Sequence, residues 1–374
     1  MNKMTVQELQ ERILQIKPLD EKAMEEAKVR QDALAKPPGS LGLLEDISIQ
    51  MAGITGSVKN EIKKHCVVVM CADNGVVEEN IASAPQSVTL AQTINFTRRL
   101  TGVGALAESF DSDLLIVDVG INGKVPEGLY TEEPFSDTHK IVNRRIADGT
   151  KNLAKEDAMS REQALRAIEI GLEMAEAVKA GGYSVFGIGE MGIGNTTTSA
   201  AILSAVTGQP AAKTVGKGGG IVDSSFAHKK EIVDKALEKC GGKDILTILS
   251  QVGGFDIAAM AGAFIGAAIH RIPVVIDGYI SAVAALTAAE LAPACKSYMF
   301  ASHKSYEQGY NLAIEALGLT PYLHMKMRLG EGSGCPLAFK IMEGACGVMN
   351  RMATFAEAEI NDDYLEEIRK GDCF

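Results

Sequence analysis

The chain predicts an α/β fold, a mostly parallel sheet with helices on both faces, and three observations predict it. From His65 to Ser305 short apolar runs recur, each closed by a glycine or polar turn and followed by a helix-periodic segment. The 374 residues are 46% hydrophobic, enough for one sizeable core and a smaller one. Glycine is frequent (38), tryptophan absent and aromatic content 5%, so packing leans on small and aliphatic side chains meeting at close range.

Taken in order, residues 1–60 read as helices. "TVQELQERILQI" and "EKAMEEAKVRQDALA" carry apolar residues at helical spacing, "KPPGS" breaks the pattern, and "LGLLEDISIQMAGI" restarts it. The strand candidates follow: "CVVVMCADNG", "DLLIVDVG", "YSVFGIGEMG", "PVVIDGYIS" and "SYMFASHKS". After Pro336 the segment "LAFKIMEGACGVMNRMATFAEAEI" is helical again. The expected organisation is therefore a sheet-bearing domain at 61–334, with 1–60 and 335–374 packing together as a small helical domain.

The formal net charge of -11 argues against nucleic acid or an anionic membrane as partner. The polar N-terminus is no secretory signal, and the longest apolar run, "IAAMAGAFIGAAI", is too short to span a bilayer. Seven cysteines, Cys373 the last, form no CxxC pair and read as reduced, which places the protein in the cytoplasm. Six scattered histidines offer no metal-ligand cluster, so neither a metal nor a cofactor is expected.

Ligands of open α/β sheets bind beyond the carboxyl ends of the strands. There the sequence places Asp73 and Asn74, Asp118, Glu190, Asp277, and Ser302 with His303. "SVFGIGEMGIGNTTTSAAIL" reads as a strand, a loop bearing Gly187, Gly189, Gly192 and Gly194, and a helix start at which Asn195, Thr196 and Thr197 could help hold a phosphate. The same stretch satisfies GxGxxG, but "TGQPAAKTVGKGGG" follows where a dinucleotide fold needs a second strand with an acidic end. "GKGGG", with Gly218 and Gly219, is a second flexible loop and no Walker A motif. "QVGGFDIAAMAGAFIGAA" reads as structural, with Asp256 as a helix cap. Glu331, in "MRLGEGSGC", lies between glycines just before a helix start at Ser333 and Pro336, an arrangement that favours an ionised carboxylate. As a glycine-turn residue it should have few packing neighbours.

Seven ordered blocks, "KPPGSLGLLEDI", "ADNGVVEENIASAPQSVT", "GIGEMGIGNTTTSAA", "VGGFDIAAMAGA", "PVVIDGYIS", "ASHKSYEQG" and "YLHMKMRLGEGSG", together resemble the nicotinate-nucleotide:dimethylbenzimidazole phosphoribosyltransferases of the cobalamin pathway. The resemblance implies a Rossmann-like domain with a small helical domain from both chain ends, assembled as a homodimer. It implies transfer of ribose phosphate from nicotinate mononucleotide to a benzimidazole, with release of nicotinate. It makes Glu331 the catalytic base, Glu190 a second active-site carboxylate and Lys229, beside Lys230, a functional lysine. It also places Gln86 and Leu329 among the substrate contacts. Many members of that family carry Asp-His-Gly where this chain has Asp73-Asn74-Gly75, which leaves the acceptor base open among benzimidazoles, purines and phenols. A nicotinamide-dependent dehydrogenase and a non-catalytic nucleotide-binding module are the rival readings.

Overall fold

In a computed structural model, which describes residues 4–240 and 244–365, seven strands form one sheet. They are β1 (His65–Ala72), β2 (Asp113–Gly120), β3 (Tyr130–Thr131), β4 (Ile141–Asn143), β5 (Val185–Met191), β6 (Val274–Ile276) and β7 (Met299–Ala301). The order is β3-β4-β2-β1-β5-β6-β7, and every pairing is parallel. All eight residues of β1 are buried, as a strand covered by helices on both faces requires. The five strands expected from the sequence are present; β3 and β4 are additional.

Helix Phe255–Ile269 packs on β1, β2 and β5 and against helix Arg161–Ala180. Its glycines allow the close approach: a Cβ on Gly262 would come within 2.0 Å of the Ile168 carbonyl oxygen. Helix Cys335–Arg351 packs on β1, β5 and β6, and the main core is continuous through the sheet.

Helices Glu21–Ala33 and Leu43–Thr55 pack on each other, and the second also meets Cys335–Arg351. Ala23, Ala27, Ala52 and Met349 make a small apolar cluster of their own there, and Arg30 Nε donates to the Met349 carbonyl at 2.8 Å. The terminal helix stops at Arg351, short of the expected residue 360; Leu34 and Thr354 form an antiparallel bridge instead. Residues 1–3 and 366–374 of the terminal segments, Cys373 included, lie outside the described residues.

Candidate active site

The chain runs from β1 to β2 on one side and later returns to β5 on the other, so strand order reverses between β1 and β5. A ligand crevice belongs at the carboxyl ends of such a pair. A cleft of about 370 Å³ opens there, lined by Glu190, Gly192, Gly194, Asn195, Thr196, Gly218, Gly219, Lys229, Asp277, Leu329 and Glu331 from the residues expected on sequence grounds.

Glu331 is 5% exposed, and its backbone holds φ at 63° between Gly330 and Gly332, also left-handed. A non-glycine residue held there costs on the order of 1–2 kcal/mol, so the surrounding structure imposes the conformation. Both glycines are sterically required, since a Cβ on Gly330 would sit 2.4 Å from Glu190 Oε1 and one on Gly332 2.5 Å from Val67 Cγ1. The expected few neighbours are not found: the turn is clamped onto β1 and β5. Glu331 Oε2 accepts from the Val103 N–H at 2.9 Å, and Gln92 Nε2 approaches Oε1 at 3.4 Å. The carboxylate thus faces the start of helix Gly102–Ser109 and not that of the helix after Ser333, whose entry is held by Asp277. Asp277 accepts from the Gly332 and Gly334 amides at 3.0 and 2.7 Å. Burial raises the Glu331 carboxyl above its usual value, and the Val103 and Gly102 amides pull it back.

Glu190, near the end of β5, accepts the Glu331 N–H at 3.4 Å through Oε1 and makes a short contact with Asn195 Nδ2 through Oε2. Burial, then the charge of Asp256, pushes its carboxyl up to about 8. Asp277 is pushed up to about 7 by burial, partly opposed by the two amides it accepts. Both acids hold protons more tightly than ordinary carboxyls do.

Gly194 starts helix Asn195–Thr207 with a left-handed φ of 95°. Gly187 and Gly189, expected in the loop, lie inside β5, where a Cβ would meet Cys335 Cβ at 2.4 Å or the Glu331 carbonyl at 2.3 Å. The glycine loop is therefore shorter than the sequence suggests, and the GxGxxG match is a strand-packing pattern. Opposite it, Lys229 is 1% exposed and donates to Thr196 Oγ1 at 2.8 Å and to the Gly216 carbonyl at 3.3 Å. Burial brings its ammonium down to about 8, against the attraction of Glu307. Lys230 instead lies over the Phe226 ring.

Eight expected residues stand outside the cleft wall, among them Gly187, inside β5, and Asp118, which accepts the Ile121 N–H at 2.9 Å. Gly189 packs beneath Glu331. Thr197 is buried within its helix. Ser302 donates to the Asp277 carbonyl at 3.0 Å, behind the wall, while Ser305 and His303 line it. Asp73 accepts the Asn122 N–H at 2.8 Å, and Gln86 accepts from the Asn122 side chain at 3.1 Å. Asn74 is fully buried beside Gly192 and Gly254.

Sequence reasoning missed Gln92, Ser305, Glu307 and Asp256. Asp256 is no N-cap: Gly254 occupies that position, and the fully buried Asp256 carboxylate accepts from Asn195 Nδ2 at 3.1 Å. Among the described residues no group of three or more His, Cys, Asp or Glu is arranged to hold a metal ion.

A family model described as phosphoribosyltransferase matches residues 16–360. The chain is similar to the nicotinate-nucleotide–dimethylbenzimidazole phosphoribosyltransferase of Clostridium perfringens, 52% identical over 362 residues, covering 96% of this chain and 97% of the relative. It is 46% identical over 365 residues to the protein of that name from Clostridium tetani, covering 97% of this chain and 98% of the relative. Among solved structures it is similar to the crystal structure of CobT from Thermus thermophilus, with a TM-score of 0.86 and 35% identity, covering 91% of this chain and 99% of that one. With a family model across most of its length and relatives of one name across nearly all of it, the chain belongs to the nicotinate-nucleotide–dimethylbenzimidazole phosphoribosyltransferase family.

Proposed function

We propose that the protein transfers the phosphoribosyl group of nicotinate mononucleotide to dimethylbenzimidazole or a related lower-ligand base. The products are α-ribazole 5'-phosphate and nicotinate, in assembly of the cobalamin nucleotide loop. The observation that carries the mechanism is Glu331, a buried carboxylate in the cleft, aimed by the Val103 amide.

The bare ring nitrogen of the acceptor forms the new bond to the ribose anomeric carbon. The bond to the nicotinate nitrogen breaks and leaves its electron pair on that ring. The acceptor's other nitrogen would keep positive charge unless it lost its proton, and Glu331 takes that proton. A base so placed contributes roughly 10²- to 10⁴-fold. The donor phosphate is assigned to the Gly192–Asn195 turn, Thr196, Gly218, Gly219 and Lys229, with Leu329 beside the acceptor. Two buried half-sites of this kind work largely by positioning. Asp277 and Ser302 hold the Glu331 turn from behind. Asp73, Asn74 and Gln86 support the β1 end of the crevice, from which side-chain identity at Asn74 would reach the acceptor only indirectly.

The same reading makes the protein a cytoplasmic homodimer with a small helical domain from 1–60 and 335–374 beside a catalytic domain at 61–334. The buried cysteines Cys66, Cys71, Cys240, Cys295, Cys335 and Cys346 support the compartment, and the separate Ala23 cluster supports the division. The test is nicotinate release from nicotinate mononucleotide across benzimidazoles, adenine and phenols. Binding of the donor with no nicotinate released by any acceptor would leave a nucleotide-binding module.

A further inference from the structure

Asp256 lies outside the cleft wall, yet one side chain connects it to the cleft. Asn195 Nδ2 donates to Asp256 Oδ2 at 3.1 Å and also contacts Glu190 Oε2, so one amide group serves two buried carboxyls. The second Asp256 oxygen accepts from the Ile257 amide at 3.0 Å. Neither acid has a cationic partner among the ion pairs of the described residues. Two carboxylates in so dry a place, bridged by a neutral amide, repel each other with little screening. The pair therefore retains one proton, as like-charged buried acids do.

The contacts say where that proton goes. Asp256 has an amide donor on each oxygen and is served best as the anion. On Glu190, Oε2 is occupied by Asn195, whereas Oε1 has only the long 3.4 Å approach of the Glu331 N–H. Of the pair, only Glu190 lines the cleft. We propose that Asp256 is a positioning residue for phosphoribosyl transfer: through Asn195 it orients Glu190 and keeps it in the acid form, so that Glu190 presents an O–H and no second negative charge to an anionic donor. This rests on the transfer reading given above. The other groups facing Glu190 are Asp277 from the segment after β6, Cys71 from β1 and the Glu331 turn. The Asn74 amide borders Asp256 across Gly254.

Two measurements on the full-length protein test it, one of which does not involve the reaction. Infrared spectra at neutral pH should show protonated-carboxyl absorption that loses the Glu190 component in Glu190→Gln, Asp277 supplying what is left, and that is weakened in Asp256→Asn, where Glu190 ionises more easily. In steady-state assays Asp256→Asn should lower kcat/KM for the donor about 10-fold or more, and should move the alkaline limb of that profile to lower pH. Because Asp256 acts through Glu190, the double variant should be no worse than Glu190→Gln alone. A protonated-carboxyl band unchanged in Glu190→Gln overturns the proposal, even if Asp256→Asn fails to fold. So does an unmoved pH limb, or a double variant whose losses add. If wild-type protein releases no nicotinate with any acceptor, the transfer reading fails, and the infrared result still decides the proton pair.

Discussion

Replacing Glu331 by Gln removes a charge and little else. Gln keeps the length of the side chain and an oxygen that can accept the Val103 N–H, now at 2.9 Å, but it cannot take a proton from the acceptor. The φ of 63° is retained with the same strain. Against stability stands the lost attraction between a carboxylate and a helix N-terminus, about 0.3–1 kcal/mol. In its favour stands an ion that no longer has to be desolvated. The two nearly cancel, so thermal unfolding should move little. Turnover is another matter: loss of a general base costs on the order of 10²-fold or more, which is about 2.7 kcal/mol in the barrier. Donor affinity should stay close to wild type, because Glu331 is not among the residues assigned to the donor phosphate. Burial raises the Glu331 carboxyl, so the acid limb of kcat in wild type should lie above the ordinary glutamate range and should vanish in the variant. Nicotinate release and calorimetric donor binding on one preparation separate the two effects. Near-normal turnover in a well-folded Glu331→Gln protein would refute the reasoning, and Glu190 would become the first candidate in its place.

Other outcomes follow from the same geometry. Lys229→Met should raise the donor KM on the order of 10-fold or more, the usual cost of a lost hydrogen bond to a charged group, with a smaller change in kcat. Gly189→Ala places a Cβ 2.3 Å from the Glu331 carbonyl, so it should cost roughly 1–3 kcal/mol in chemical denaturation and also impair turnover; full activity would mean that the turn tolerates displacement. Because the folded-state Glu190 carboxyl lies near 8, above its unfolded value, its contribution to stability is complete below the ordinary carboxylate range and is lost as pH rises through about 8. Denaturant titrations of Glu190→Gln should be flatter over that window. Activity should survive EDTA; loss on chelation with recovery on Mg²⁺ would contradict the metal-free mechanism.

The sheet was legible wherever a strand is long enough to write its own pattern. "CVVVMCA" and "DLLIVDVG" are continuous apolar runs because both faces are covered. Tyr130–Thr131 and Ile141–Asn143 are two and three residues long, too short to show periodicity, and only pairing with β2 and each other defines them. The rule of polar residues after strands found Glu190 and Asp277 but equally selected Asp73 and Ser302, which face inward; composition carries no information on which way a side chain turns. Nor can it distinguish a loop glycine from one inside a strand. Gly187 and Gly189 are glycines because Cys335 and Glu331, far along the chain, come to rest against them. Gln92, on helix Ser87–Thr97, has no local signal, and Asp256 is hidden in a run so apolar that it reads as packing alone.

The long reach of those contacts has a kinetic consequence. β1 pairs with β5 by joining His65 to Val185, Glu331 meets Glu190 across 141 positions of sequence, and Val103 meets Glu331 across 228. Closing such loops costs entropy before any contact repays it, and a chain of this size passes through partly formed states on the way. Helices, being local, form early; the cleft exists only when both distant closures are complete. On refolding from denaturant, the far-ultraviolet helical signal should therefore return ahead of nicotinate release, and catalysis would serve as a clock for the last step of assembly.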